Sequence, residues 1–180
     1  MVFIAGNSDT AMPKNVQQAC LYIHNSYRLP HGSGELEWSD DLADTAAKLA
    51  KALALRSLTV IGVKKYEPPG TSIMVMPIGD TTDIALETAC IISAKTWYEE
   101  QKGYNFNDPH LTNSNRHFTQ LIWKATKRIG FGAAKSTSGG PFYFVAMYDP
   151  AGNQDSYIGF KKNALPIQEA DATRIIKRTR

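Results

Sequence analysis

The chain has 180 residues, of which 43% are hydrophobic and 21% are charged, as is usual for one soluble globular domain with a single core. Its formal net charge is +3, and no long run of lysine and arginine interleaves with aromatic residues, so nucleic-acid binding is not expected. No apolar stretch approaches the roughly 20 residues that a membrane-spanning helix needs.

The beginning of the chain and its cysteines indicate the expected compartment. The first residues lack both a basic start and a long apolar stretch, so no secretory signal is predicted. Small secreted domains usually carry more cysteines than Cys20 and Cys90. We therefore expect free thiols and a cytoplasmic location, peripheral to membranes. The mild basic charge suits contact with an anionic membrane surface.

The first third of the chain is predicted to hold two helices. Pro13 suits the start of a helix that runs to about Tyr27, and Ser39 is expected to cap the second helix. The second helix contains many alanines, which allow close packing. Its predicted buried face comprises Leu42, Ala46, Leu49 and Leu53.

The middle of the chain is predicted to contain strands and a third helix. Residues 58–63 and 71–76 are β-prone runs, separated by a turn at 66–70. The third helix is expected from about residue 80 to about Lys102. Its middle, residues 89–94, is apolar nearly all round, which predicts a position deep in the fold.

The stretch from Asn115 to Thr126 carries the best site candidate, His117. Apolar residues recur there with helical spacing, and the polar run before it can cap the first turn, so we predict a helix over 115–128 that stops before Gly130. The positive end of the helix dipole favours a neutral His117 imidazole, the form that binds metals or accepts protons. The alternative is that His117 caps the helix or satisfies a polar group beside the core.

The last part of the chain is predicted to form a hairpin, with strands at 129–135 and 142–149. No repeat or domain linker is apparent. We therefore expect one domain over 13–166, a flexible leader at 1–12 and a basic tail at 167–180. The order of elements predicts an α+β fold, in which helices cover both faces of an antiparallel sheet.

Patterns that carry chemistry are scarce. The zinc-site spacings HExxH, CxxC and HxH are absent, as are the GxSxG elbow, the Walker loop and GxGxxG. Glu99 and Glu100 end the third helix, so we expect at least one of them to be solvated. His24 closes the first helix and is expected to make structural bonds to the backbone.

Several short motifs occur in an order that is specific to one family. They are His24-Asn-Ser-Tyr-Arg28, Leu36-Glu-Trp38, Trp97-Tyr-Glu-Glu100, His117-Phe-Thr-Gln-Leu-Ile-Trp-Lys124 and Tyr148-Asp-Pro-Ala-Gly-Asn153. On these motifs the chain resembles the CAP superfamily of cysteine-rich secretory, antigen 5 and pathogenesis-related proteins. The few cysteines make it most like the intracellular, Golgi-associated members and the venom-allergen-like proteins of invertebrates.

The resemblance implies a three-layer α-β-α sandwich with a central cavity, where two histidines and two glutamates can hold a divalent metal, often zinc. Glu100 and His117 match the second member of each pair. Thr71 stands where the first glutamate is expected, and no histidine lies near residues 60–63. Two ligands in place of four should bind zinc weakly or not at all, and nothing in the sequence aims His110 at the cavity as a replacement.

The family also includes sterol-binding and fatty-acid-binding members, and the resemblance implicates a loop of pattern aromatic-x-aromatic-x₄-aromatic in sterol export. Tyr104 and Phe106 match its first two positions, and Leu111 replaces the third aromatic with an apolar side chain that lacks a ring face. The alternative is that Tyr104 and Phe106 simply pin the loop to the core. An acyl chain between two central helices is a second lipid mode of the family, compatible with the alanine-rich helix.

Three functions follow as hypotheses. The first is a non-catalytic, lipid-binding or membrane-associated domain with a degenerate cavity, whose partners are a sterol or fatty acid and an anionic membrane surface. The second is a protein-interaction module that acts as a homodimer. The third and least favoured is a hydrolase in which Glu100 and His117 supply a general base, because no nucleophile or oxyanion motif accompanies them.

Overall fold

The computed structural model of the chain describes residues 12–56, 67–76, 86–136, 140–154 and 156–168. The helices in these residues are α1 (Lys14–Arg28), α2 (Asp40–Arg56), α3 (Leu86–Glu99), α4 (Arg116–Leu121) and α5 (Tyr157–Asn163). The strands are β1 (Glu37–Trp38), β2 (Thr71–Met76), β3 (Arg128–Lys135) and β4 (Phe142–Asp149). Short 3-10 turns at Leu29–His31 and Glu100–Gly103 follow α1 and α3. None of the helices in these ranges is long and apolar enough to cross a membrane.

The four strands form one sheet in the order β1-β3-β4-β2. Strands β3 and β4 pair as an antiparallel hairpin, and β2 pairs antiparallel with β4. The predicted hairpin and the predicted strand at 71–76 are therefore confirmed. The sheet is not purely antiparallel, because the short edge strand β1 runs parallel to β3, with Trp38 opposite Ile129.

The sheet is the middle of three layers. Side chains alternate along β4, so Phe144 and Tyr148 face the layer that contains α1, α3 and α4, whereas Tyr143 and Val145 face α2. Buried aromatic and aliphatic side chains fill the interface between the sheet and the layer of α1, α3 and α4. The interface between the sheet and α2 contains fewer buried side chains and is richer in alanine. The predicted three-layer α-β-α sandwich of the α+β class is thus confirmed.

The close approach of α2 to the sheet depends on two glycines of β3. A Cβ atom on Gly130 would lie 2.1 Å from the backbone nitrogen of Ala43, and one on Gly132 would lie 2.1 Å from that of Ala47. Both distances are far below van der Waals contact. The alanines of α2 and these glycines therefore let helix and sheet backbones touch, as the alanine content of the helix predicted.

Helix α3 is less deeply buried than predicted. Ala94 and Trp97 lie in the core, but Ile91 and Ile92 are 44% and 40% exposed. A helix that is apolar on every side is not necessarily covered by another element on every side. In this fold α1 and the sheet cover one side of α3, and none of the described residues buries the two isoleucines.

The expectation of free thiols is wrong, because Cys20 of α1 and Cys90 of α3 form a disulfide. Both cysteines are fully buried, and their Cα atoms lie 5.6 Å apart. The bond joins two neighbouring helices across 70 residues of sequence. The spacing of two cysteines that far apart gave no sign that they would meet.

Reduction of this disulfide is expected to lower the free energy of unfolding by roughly 2–4 kcal/mol, because the unfolded chain regains the freedom of a long closed loop. Chemical denaturation with and without a thiol reductant measures the difference. A Cys20→Ser/Cys90→Ser variant is the control, and its stability should not respond to reductant. Equal stability of the wild type in both conditions would contradict the prediction.

Helix α4 is shorter than the predicted helix over 115–128. The carbonyl groups of Leu121, at its end, and of Trp123, just beyond it, accept hydrogen bonds from Arg28. The backbone N–H of Lys124 donates to the carbonyl oxygen of Asn163. The backbone groups that would continue the helix are therefore used by other segments. The chain then turns and enters β3 at Arg128.

Other predictions fall outside the described residues. These are the strand-like run at 58–63, the start of the third helix, most of the leader and most of the tail. Met12, the last residue of the predicted leader, is described, and it is buried in the core.

Candidate functional site

His117 lies between two carboxylates at the start of α4. Its Nδ1–H donates to Oε1 of Glu100 over 2.7 Å, and its Nε2–H donates to Oε1 of Glu67 over 2.8 Å. The side chain of His117 is 13% exposed, that of Glu100 is 21% exposed and that of Glu67 is 2% exposed. The structure thus brings together the two residues that were predicted for the cavity, and it adds a third.

Glu67 is the residue that the sequence analysis missed. Its Oε1 also accepts a hydrogen bond from the backbone N–H of Ile73, at the outer edge of β2, and its Oε2 lies 3.1 Å from Nη1 of Arg116. Glu67 thus supplies a second carboxylate at the site, whereas Thr71 is a buried strand residue opposite Met147. The one signal in the sequence was a glutamate directly before the Pro-Pro-Gly turn that leads into β2.

We call Glu67, Glu100, Arg116 and His117 the clasp. Glu100 makes a further pair of contacts there, because its Oε2 accepts hydrogen bonds from the backbone N–H groups of His117 and Phe118. These are free donors of the first turn of α4, so a carboxylate from another segment caps the helix. The prediction that a local polar side chain would cap it is wrong, since Asn115 makes no such bond.

The prediction of a neutral imidazole at His117 is also wrong. Burial by itself lowers the pKa of His117, but the hydrogen bonds and charges of Glu100 and Glu67 outweigh burial and raise that pKa to about 9. The geometry agrees, because carboxylates accept hydrogen bonds and both ring nitrogens must therefore donate. At neutral pH the clasp holds two negative and two positive groups, in close contact.

The other three histidines lie away from the clasp. His24 donates from Nδ1 to the carbonyl oxygen of Cys20, and its Nε2 accepts from the hydroxyl of Tyr148, so its predicted structural role is confirmed. Burial lowers the pKa of His24 to about 4. His31 bonds the hydroxyl of Tyr98, and His110 is exposed beside Asp108.

The loop predicted to contact lipid packs partly into the core. Tyr104 is 7% exposed, and its ring meets that of Phe106 edge-on with 4.9 Å between centroids. Phe106 and Leu111 are only partly buried. The structural alternative thus accounts for Tyr104, whereas Phe106 and Leu111 keep apolar surface accessible. At the end of α3, Glu99 is exposed and pairs with Lys102. The expectation that at least one of Glu99 and Glu100 is solvated is therefore confirmed.

The class of the protein is defined by a three-layer sandwich in which two glutamates hold a histidine in the first turn of α4. The chain matches the family model for the cysteine-rich secretory protein family (CAP) over residues 21–148, and it belongs to that family. The resemblance read from the motifs is therefore confirmed.

Two relatives and one solved structure illustrate the match. The chain is 32% identical to the human Golgi-associated plant pathogenesis-related protein 1, over 85% of this chain and 94% of that protein. It is 28% identical to pathogenesis-related leaf protein 6 of Solanum lycopersicum, over 78% of this chain and 80% of the relative. The crystal structure of NaASP2 with Zn²⁺ superimposes with a TM-score of 0.61 at 19% identity, covering 93% of this chain and 94% of the other, which supports the fold alone.

The clasp does not fit the zinc site that the family resemblance implies. Both nitrogens of His117 carry protons that carboxylates accept, and Glu67 already faces the positive charge of Arg116. A zinc ion would need a neutral imidazole with one unprotonated ring nitrogen, and it would lie beside that guanidinium. Among the described residues, no three or more His, Cys, Asp or Glu side chains are arranged so that they could hold a metal ion. All four histidines of the chain are described, and the other three are engaged or distant.

We therefore predict that the purified protein retains well below one zinc ion per chain after exposure to equimolar zinc and dialysis. Elemental analysis by plasma mass spectrometry measures the zinc content. NaASP2, whose structure was solved with Zn²⁺, serves as a comparison in the same assay. Stoichiometric zinc that disappears in a His117→Ala variant would contradict the prediction.

Proposed function

We propose that this CAP-domain protein is non-catalytic and binds a lipid, a sterol or a fatty acid, at a membrane. The observation that carries the proposal is a row of four aromatic rings in contact, three of which are partly exposed and one of which, His31, is buried. Tyr27 stacks on Tyr98 with 4.2 Å between centroids, Tyr98 meets His31, and His31 stacks on Phe106. We call these four residues the aromatic row.

The aromatic row suits a flat or extended apolar ligand. Tyr27, Tyr98 and Phe106 are partly buried side chains at the edge of the core, so each anchors itself there and leaves part of a ring accessible. Ring faces and edges are good partners for the carbon skeleton of a sterol or for an acyl chain. The row ends at the loop that resembles the sterol loop of the family.

A buried hydroxyl beside the row offers a partner for the polar end of such a ligand. The hydroxyl of Tyr104 has no hydrogen-bond partner among the residues that the structure describes. Burial raises the pKa of Tyr104 to about 12, so this group stays a hydrogen-bond donor at neutral pH. An unpaired buried hydroxyl costs about 1–3 kcal/mol, which a ligand's hydroxyl or carboxylate would recover.

The clasp argues against hydrolysis. A general base needs a free lone pair near neutral pH, whereas both nitrogens of His117 donate to carboxylates. The oxygens of Glu67 and Glu100 accept bonds from Arg116, Ile73 and the start of α4. The hydrogen-bonding groups that the hydrolase hypothesis would use are therefore already engaged within the clasp.

Native mass spectrometry of the purified protein, followed by denaturation and lipid identification, tests the proposal. We expect a retained sterol or fatty acid that is lost in a Phe106→Ser variant and kept in a Leu55→Ser variant, because Leu55 is exposed on α2 away from the row. A protein that retains no lipid and shows no saturable binding of cholesterol or oleate would overturn it.

A second candidate function, a homodimeric interaction module, is favoured by exposed apolar side chains on two neighbouring helices. Tyr22 of α1 is 77% exposed, and Ile91 and Ile92 of the adjoining α3 are also exposed. The Cys20–Cys90 bond holds these two helices together beside them. An Ile91→Glu variant should convert a dimer to a monomer in light scattering after size exclusion, whereas a wild type that is monomeric at high concentration would exclude this candidate.

The disulfide also bears on the compartment in which we propose that the protein acts. The expected cytoplasmic location rested on free thiols and on the lack of a predicted secretory signal, and a buried disulfide is more typical of an oxidising compartment. Alkylation of free thiols in intact cells before lysis tests this, since labelling of Cys20 and Cys90 would place the protein in a reducing compartment.

A further inference from the structure

We infer that the exposed face of α5 is the surface by which this protein docks on an anionic lipid bilayer. This face consists of Tyr157, Ile158, Lys161 and Lys162, and we call it the α5 face. The inference deepens the proposed membrane role and rests on it, because it names the surface of the protein that contacts the expected anionic membrane.

Helix α5 is held firmly by its opposite side. Phe160 is 1% exposed, and its ring meets that of Trp123 edge-on with 5.2 Å between centroids. The hydroxyl of Ser156 caps the helix by accepting a bond from the N–H of Gly159. Because the buried side fixes the helix, the α5 face has a defined direction and does not depend on a loose segment.

The apolar half of the α5 face is uncovered. Tyr157 is 54% exposed and Ile158 is 64% exposed, as adjacent residues in the first turn of the helix. None of the described residues buries them. Tyrosine and aliphatic side chains on a surface helix enter the boundary between headgroups and acyl chains, where the phenol keeps contact with water.

The basic half of the α5 face lies one turn further along the same side. Residues four apart share a side of a helix, so Lys161 follows Tyr157 and Lys162 follows Ile158. The ammonium group of Lys161 lies 5.5 Å from the centre of the Tyr157 ring. Lysines near a helix C-terminus also stabilise the helix dipole, but this effect does not explain why Tyr157 and Ile158 are exposed to water beside them.

A third lysine adds to this charge. The backbone N–H of Lys124 donates to the carbonyl oxygen of Asn163 over 3.0 Å, so Lys124 adjoins the end of α5, and its side chain is exposed. Exposed apolar residues bordered by three lysines complement an anionic bilayer, which attracts each lysine and accepts the apolar side chains. An acidic protein surface would match the lysines alone.

The α5 face is also continuous with the aromatic row. The ammonium group of Lys161 donates to the carbonyl oxygens of Phe106 and Asn107, over 3.1 and 3.3 Å. A bilayer that contacts α5 would therefore lie beside the loop that carries Phe106. The same docking event would place the proposed lipid site next to its source of lipid.

Flotation with vesicles tests the inference. We expect the full chain to bind vesicles of phosphatidylcholine that contain about 30% phosphatidylserine, and to bind pure phosphatidylcholine weakly, with the difference reduced by salt. A Lys124→Ala/Lys162→Ala variant should bind the anionic vesicles about 25-fold more weakly, at roughly fivefold per lysine. An Ile158→Ser variant should bind them several-fold more weakly.

The matched controls lie on α2, in the opposite layer. Lys48→Ala/Lys51→Ala removes the same charge, and Leu55→Ser removes an equally exposed apolar side chain, so both should bind as the wild type does. Equal losses in the two lysine pairs would overturn the inference, since net charge alone would then explain binding. A loss in the α5 lysine variant without one in Ile158→Ser would also overturn it, because contact with the bilayer interior would be absent.

The same samples separate this inference from the proposed function. If the α5 variants bind vesicles like the wild type and the protein still retains lipid that Phe106→Ser loses, the docking surface is wrong and the lipid site stands. If vesicle binding depends on α5 but no lipid is retained, the docking surface stands and the lipid site is wrong.

Discussion

Replacing His117 with alanine is expected to lower the free energy of unfolding by about 3–5 kcal/mol. The substitution leaves Glu67 and Glu100 in the clasp without the cation between them, and Glu67 is almost completely buried. Arg116 remains to pair with Glu67, but it does not reach both carboxylates. Urea denaturation of wild type and variant at neutral pH measures the loss.

An exposed histidine provides the control for this experiment. His110→Ala removes the same side chain from a surface loop, where its contact with Asp108 is solvated, and should change stability by less than about 1 kcal/mol. A His117→Ala variant as stable as His110→Ala would show that the clasp contributes little to the fold. A Glu67→Gln variant should also be destabilised, because the neutral amide cannot balance Arg116 and His117 together.

The stability that His117 contributes is expected to depend on pH in a defined direction. Its folded-state pKa is raised to about 9, above the usual 6.5, so the folded protein binds the proton more tightly than the unfolded chain does. This contribution is therefore complete below about pH 6.5 and is lost as the pH rises through about 9. The shift corresponds to roughly 3 kcal/mol across that window. Stability measured from pH 6 to 9.5 should fall more steeply for the wild type than for His117→Ala, and parallel curves would contradict the assignment.

The sequence predicted local elements better than the contacts between distant ones. The hairpin of β3 and β4 and the first two helices depend on periodicity within short stretches, and each appears close to its predicted place. Glu100 and His117 were found because they lie within motifs of the family. Their direct contact gives those motifs a physical reason.

The misses share a long-range cause. Glu67 meets His117 across 50 residues, and the two cysteines meet across 70, so no local pattern indicated either contact. The prediction of a neutral His117 failed for the same reason. The helix dipole could be inferred from the sequence, whereas the contact of His117 with two carboxylates could not. The dipole at the start of a helix shifts the pKa of a histidine much less than two adjacent buried carboxylates do.

The early end of α4 is another miss, and Arg28 explains it. Arg28 is fully buried, and its guanidinium donates to the carbonyl oxygens of Gly34, Leu121, Trp123 and Thr126, over 2.8 to 3.0 Å. Burial lowers the pKa of Arg28 to about 10, so it remains charged at neutral pH. Among the described residues no carboxylate pairs with it. Oriented carbonyl dipoles balance this charge instead.

Replacing Arg28 with methionine is expected to lower the free energy of unfolding by about 3–5 kcal/mol, because the apolar side chain fills the space and leaves buried carbonyl groups without donors. Arg28→Lys should recover only part of the loss, since an ammonium group cannot match the planar fork of the guanidinium. Arg128→Met is the control: Arg128 is half exposed and pairs with Asp149 in solvent, so its loss should lower stability much less than that of Arg28.

Hydrogen exchange distinguishes this role of Arg28 from a general packing effect. If the guanidinium holds the turn after α4, amide protons between Leu121 and Thr126 should lose protection in Arg28→Met before those of β4 do. Uniform loss of protection would mean that Arg28 contributes only bulk to the core. Because the same turn carries Trp123, against which α5 packs, a selective loss would also loosen the helix that presents the α5 face.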